Sequence, residues 1–178
     1  MHTHFRRYYA LGLSAFVWVL VAHAGVTPEL QHAMREATFE VVIKKPEHET
    51  VVYEKPLPLE LLPYIERTDK YSSIGSAFAL GHNTYVTAAH VMRDAIASQF
   101  GSPALRRSDG AVFEIDRILR FSEHEDFAVF SLQNDPRPPA LLTNREPKLD
   151  QPVLAVGNAL GEGVVIRDGL LTSETPEA

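Results

Sequence analysis

The residue best suited to chemistry in this sequence is His90, which follows a run of apolar and small residues, Tyr85-Val86-Thr87-Ala88-Ala89. This run predicts a strand that ends on the histidine, and its small side chains leave room for an imidazole held against the sheet. Imidazole is the side chain whose charge changes nearest to neutral pH. The alternative is a buried or surface histidine without a chemical role, which is the common case for any one of the eight histidines.

The second candidate is Asp126, which ends the polar segment Glu123-His124-Glu125-Asp126 and directly precedes the apolar run Phe127–Leu132. An acid at the start of a core strand is expected to be buried, and a buried carboxylate is costly unless it is paired or hydrogen-bonded. A histidine Nδ1–H is its natural partner. The acid could instead be solvated at the strand start, or the four residues could ligate a metal. Consecutive strand residues point to opposite faces, which disfavours the metal site.

The elements that must position these residues are mostly short strands. Thr27-Pro28 predicts the start of a short helix, because Pro is favoured at the first helical position, and a second short helix is predicted over Val91–Gln99. A hairpin turn is predicted at Gly81-His82-Asn83. The predicted strands are Phe39–Ile43, Thr50–Glu54, Gly75–Leu80, Thr84–Ala88, Ala111–Phe121, Phe127–Leu132, Pro152–Val156 and Val164–Leu171. Closely spaced short strands are typical of a barrel or sandwich, so the predicted class is all-β.

Composition places the chain among ordinary globular proteins. Of its 178 residues, 45% are hydrophobic and 22% are charged, and the net charge is −6. The acidic balance argues against a nucleic-acid partner, since such proteins normally present a basic face. The chain has no cysteine, which excludes disulfides, thiolate metal sites and a thiol nucleophile. No cofactor is expected.

Residues 1–24 have the pattern of a secretory signal peptide. Arg6 and Arg7 precede a twelve-residue apolar run, Leu11–Ala22, and Ala22-His23-Ala24 is a small-x-small cleavage site. The run is shorter than the roughly 20 residues that span a bilayer, so cleavage is favoured over an uncleaved anchor. Cleavage removes two of the 17 basic residues and none of the 23 acidic ones, which leaves a net charge of −8. We therefore expect a periplasmic or secreted bacterial protein with no stable membrane span.

Three segments, taken in order, resemble one family. Gly75-Ser76-Ala77-Phe78 with Val86-Thr87-Ala88-Ala89-His90 resembles the start of the chymotrypsin/trypsin-like serine protease domain, and in particular its bacterial, cysteine-free HtrA-type branch. Asp126-Phe127-Ala128-Val129 is similar to the segment that carries the triad aspartate. Ala155–Gly161 resembles the Gly-Asn-Pro-x-Gly stretch that leads into the second barrel, with Ala159 in place of Pro. The resemblance covers about residues 71–173.

The resemblance implies a trypsin-like first β-barrel, the beginning of a second barrel, and catalytic roles for His90 as general base and Asp126 as its orienting acid. The family's serine lies in a Gly-x-Ser-Gly-Gly turn, and no serine of this sequence is followed by Gly-Gly. The same turn supplies the oxyanion hole. We therefore expect the nucleophile to lie beyond the end of this chain and residues 1–178 alone to be inactive.

These observations predict three regions: a signal peptide at 1–24, an N-terminal extension at 25–70, and a C-terminally incomplete trypsin-like peptidase domain at 71–178. The predicted function is a serine endopeptidase that hydrolyses peptide bonds of envelope proteins, so the expected partner is a polypeptide substrate. The alternative is a non-catalytic protease-fold domain that binds peptides or a partner. Both His90 and Asp126 are present, which favours the enzyme.

Overall fold

The computed structural model describes residues 27–46, 61, 68–98, 101–140, 148–158 and 163–173. The predicted signal peptide and the predicted strand Thr50–Glu54 lie outside these residues. The chain forms two helices and eight strands within them. They are α1 (Pro28–Glu36), β1 (Thr38–Lys44), β2 (Tyr71–Gly81), β3 (Thr84–Thr87), α2 (Ala89–Ala97), β4 (Pro103–Arg106), β5 (Val112–Ser122), β6 (Phe127–Leu132), β7 (Pro152–Gly157) and β8 (Val165–Leu170).

Six strands close into an antiparallel barrel in the order β1-β2-β3-β6-β5-β4. Closure depends on β1, which pairs with β2 along one edge and with β4 along the other. A closed barrel leaves no unpaired edge where its ends meet. β1 comes from the segment assigned above to the N-terminal extension, so the barrel draws on residues before position 71 as well as after it.

Aromatic side chains fill the middle of the barrel. The ring of Phe39 meets that of Tyr85 edge to face, with centroids 5.5 Å apart, and Tyr85 stacks on Phe130 at 6.1 Å. Such aromatic pairs add to the burial of their apolar area. The Tyr85 hydroxyl donates a hydrogen bond of 2.6 Å to Asp135 Oδ1, which satisfies the one polar atom of an otherwise buried ring.

α1 begins as the sequence predicts. Thr27 caps it by accepting a hydrogen bond of 3.2 Å from the backbone N–H of Leu30 at its Oγ1, and Pro28 is the first helical residue. Among the described residues, no helix is both long and apolar enough to cross a membrane.

β7 and β8 form a second, two-stranded antiparallel sheet. It contacts the barrel through β1 and β2. α1 also reaches it, because Arg35 Nη1 donates a hydrogen bond of 2.8 Å to the carbonyl of Val164. The all-β class is confirmed, with a barrel, a short N-terminal helix and a second sheet.

Candidate active site

His90 lies in the first turn of α2, and the prediction that it ends a strand is wrong. β3 ends at Thr87, and Ala88 is the extended residue that precedes the helix. The helix begins two residues earlier than predicted because Ala89 is a strong helix former and its side chain is buried. The imidazole therefore projects from a helix N-terminus rather than from a strand.

Asp126 lies in the tight turn between β5 and β6 and has a left-handed backbone, with φ of 51°. Asp tolerates this conformation better than most non-glycine residues. The expectation of a buried carboxylate is wrong: the Asp126 side chain is 51% exposed. A turn of only four residues joins β5 to β6 and leaves the acid at the rim of the barrel, where water solvates it.

The structure brings the two residues together. The Asp126 carboxylate lies 2.8 Å from His90 Nδ1 through Oδ2 and 3.0 Å through Oδ1, both within hydrogen-bond range. Oδ1 also accepts the backbone N–H of His90 at 3.0 Å. One carboxylate thus fixes the ring and caps a helix whose Ala88 provides no side-chain cap.

A carboxylate next to Nδ1 selects one tautomer of the neutral ring, because Asp126 can only accept and Nδ1 must then carry the proton. The lone pair is left on Nε2. No hydrogen bond to Nε2 is present within the part of the chain that the structure describes, and the His90 side chain is 56% exposed. Nε2 can therefore meet a hydroxyl that approaches from solvent, which is the geometry of a general base.

The electrostatics of the pair favour an ionised acid. Hydrogen bonds from the backbone and then the ring of His90 lower the pKa of Asp126 below its usual value. Both donors bind the charged form, which is the standard cause of such a decrease. The Asp126 carboxyl is therefore held in its ionised form, and its negative charge can stabilise the imidazolium that a proton transfer would create.

Close packing of α2 on β2 holds His90 in place. Val91 follows His90 and lies against Gly75: a Cβ added at Gly75 would come within 2.7 Å of Val91 Cγ1. Met92 and Ala95 of the same helix are also buried. Gly75 is the first residue of the predicted strand but lies in the interior of β2 as observed, where a glycine marks a close approach.

The other polar residues near the pair take no part in it. His82 and His124 are exposed, and so are Glu123 and Glu125. Within the described ranges, no three His, Asp or Glu side chains converge closely enough to hold a metal ion. The structure therefore offers no support there for the alternative of a metal cluster.

Comparison with known families agrees with this geometry. Residues 75–177, more than half of the chain, match the model of the trypsin-like peptidase domain. The chain belongs to this family, as the resemblance of the three sequence segments predicts. No curated protein sequence matches the chain.

Proposed function

We propose that the protein is a serine endopeptidase of the HtrA-type branch that cleaves polypeptides in the bacterial envelope. The observation that carries the proposal is the hydrogen bond between His90 Nδ1 and Asp126, 2.8 Å long, in a domain of the trypsin-like family. The paired orientation of base and acid is what this reaction needs and is not required for peptide binding alone.

In this reaction His90 Nε2 removes the proton from a serine hydroxyl as its oxygen attacks the peptide carbonyl. The imidazolium then gives that proton to the departing amine, and the acyl-enzyme is hydrolysed by water with the same base. Asp126 remains ionised throughout and stabilises the imidazolium. Because no serine of this sequence has the Gly-x-Ser-Gly-Gly context, we assign the nucleophile and the oxyanion donors to polypeptide outside residues 1–178.

Localisation to the envelope rests on the sequence pattern of residues 1–24 and on the absence of cysteine. The HtrA-type assignment rests on that absence and on the Gly157-Asn158 motif. The acidic surface after cleavage favours a polypeptide substrate over a nucleic acid.

The test compares two polypeptides, residues 25–178 and the product of the same reading frame extended downstream of Ala178. Each is incubated with casein and with a fluorophosphonate probe, alongside His90→Ala and the control His124→Ala, which alters an exposed histidine outside the pair. We expect labelling and turnover in the extended product only, abolished by His90→Ala and retained by His124→Ala. Turnover that survives His90→Ala would contradict the proposal.

The alternative function, a non-catalytic peptide-binding domain, is favoured by one observation, the missing Gly-x-Ser-Gly-Gly motif. The same experiment distinguishes an endopeptidase from a peptide-binding domain. An inert extended product that binds casein equally well with and without His90→Ala would support the binding protein.

A further inference from the structure

Asn158, at the end of β7, uses every polar atom of its side chain. Nδ2 donates to Glu40 Oε2 at 3.0 Å and to Ser73 Oγ at 2.5 Å, and Oδ1 accepts the backbone N–H of Gly163 at 2.9 Å. The two donated bonds join residues 118 and 85 positions apart in the sequence. They tie Asn158, which directly follows β7, to two strands of the barrel.

The backbone of the same residue reaches β2. The N–H of Asn158 donates to Ser76 Oγ at 2.7 Å. Gly157 permits this approach, since a Cβ there would lie 3.0 Å from the same oxygen. Ser76 in turn accepts, at its carbonyl, a hydrogen bond of 2.7 Å from Thr87 Oγ1.

Thr87 is the last residue of β3 and leads through Ala88 into the helix that carries His90. Gly75, the neighbour of Ser76, packs against Val91 of that helix. Two adjacent residues of β2 therefore contact the β7–β8 sheet on one side and the segment bearing His90 on the other. The positions of the β7–β8 sheet and of the His90 imidazole therefore both depend on these two residues of β2.

The charged groups around Asn158 favour a neutral hydrogen-bond donor at this position. Glu40 Oε2 also accepts from Arg106 Nη2 at 2.8 Å, and Arg106 binds Asp69 through its other terminal nitrogen. The Glu40 side chain is only 9% exposed. A neutral donor at position 158 completes this network, whereas a second carboxylate would face Glu40 at hydrogen-bond distance with little water to screen the repulsion.

We propose that Asn158 is a positioning residue that fixes the β7–β8 sheet relative to His90. This role rests on the proposed function, in which His90 acts as the base. A misplacement of about 1 Å between reacting groups costs about 10²-fold in rate. Asn158 acts through the position of the sheet and touches no reacting atom.

The test measures the distance between α2, which carries His90, and β8 of the second sheet. The chain has no cysteine, so spin labels can be placed by Ile96→Cys on α2 and Leu170→Cys on β8, both at exposed side chains. Double electron–electron resonance at pH 8 is recorded for this parent, for Asn158→Asp, and for Asn158→Asp combined with Glu40→Gln. Asn134→Asp, the same change at an exposed site, is the matched control.

We expect a narrow distance distribution in the parent and in the Asn134→Asp control, and a broad or displaced one in Asn158→Asp. Adding Glu40→Gln should restore the narrow distribution, because the glutamine amide can donate to the new carboxylate while the total charge returns to that of the parent. Ser76→Ala, which removes one acceptor only, should broaden the distribution less. An Asn158→Asp distribution as narrow as the parent's, or no recovery in the double variant, would overturn the positioning role.

In the extended gene product, Asn158→Asp should lower kcat about 10²-fold with KM little changed, and Glu40→Gln should recover it. An unchanged kcat together with a broadened distance distribution would also overturn the role. The His90 side-chain NMR signals should be the same in Asn158→Asp and in the parent. A parent without turnover contradicts the proposed function, whereas the distance measurements still support or overturn the positioning role by themselves.

Discussion

Gly75→Ala tests whether the close packing of α2 on β2 holds His90 in place. A Cβ at position 75 would lie 2.7 and 2.8 Å from the two methyl groups of Val91 and 3.3 Å from its Cβ. Carbon atoms in ordinary contact are about 3.5–4.0 Å apart, so the helix must move away by about 1 Å. The backbone of Gly75 is not left-handed, so the cost is steric and not conformational.

Overpacking of this kind costs about 1–3 kcal/mol, and each kcal/mol lowers the Tm of a chain of this size by roughly 2–4 °C. The same displacement would lengthen the 2.8 Å contact between His90 Nδ1 and Asp126 beyond hydrogen-bond range. Urea unfolding followed by circular dichroism gives the change in free energy of unfolding. Gly169→Ala is the control, because its Cβ would meet nothing within 4 Å.

A double-mutant cycle with Val91→Ala identifies the cause. Removing the two Val91 methyl groups costs about 1.6 kcal/mol by itself, but it also makes room for the new Cβ. We expect the double variant to be more stable than the sum of the single costs by about 1 kcal/mol or more. If Gly75→Ala is as neutral as Gly169→Ala, or if the cycle is additive, the reasoning about α2 is refuted.

Three further predictions concern other parts of the molecule. Hydrogen bonds from His90 lower the pKa of Asp126. The folded state therefore gains its full stabilisation from them above the pKa of an unfolded aspartate, about 3.9, and loses it as the pH falls through the lowered pKa of the folded state. An NMR titration of the Asp126 carboxyl with a midpoint at or above about 3.9 would contradict this prediction. Tyr85→Phe keeps the ring packing but removes the hydroxyl bound to partly exposed Asp135, and should cost about 1 kcal/mol in urea unfolding; an unchanged midpoint would show that the bond contributes nothing. Export should leave Gly25-Val26-Thr27 as the N-terminus of protein recovered from the envelope, and an intact chain in the cytosol would rule out cleavage after Ala24.

Local patterns predicted most of the barrel. The Gly81-His82-Asn83 turn was visible because these residue types tolerate the left-handed backbone that all three adopt. The apolar run Phe127–Leu132 located β6 without error. β4 was missed because it has only four residues and begins with Pro103, and proline weakens the signal of a strand.

The sequence predicted which two residues pair, but it did not predict the secondary structure or the solvent exposure of these residues. The sequence supplied His90 and Asp126 as partners, whereas the helical position of one and the exposure of the other depend on where β3 ends and on how short the β5–β6 turn is. The contacts of Asn158 with Glu40 and Ser76 could not be predicted, because they join residues far apart in sequence whose approach is set by tertiary packing alone.

We expect Asp126 to hold the His90 ring with its proton on Nδ1, which leaves Nε2 unprotonated and able to accept a proton. Long-range ¹H–¹⁵N NMR of ¹⁵N-histidine-labelled protein reads the tautomer of each ring directly. At a pH where the ring is neutral, we predict a protonated Nδ1 and an unprotonated Nε2 for His90. We predict the reverse in Asp126→Asn, whose oxygen can stay on the His90 backbone N–H while its amide donates to Nδ1 of the ring. A protonated Nε2 in the parent, or a His90 spectrum unchanged by Asp126→Asn, would contradict this role of Asp126.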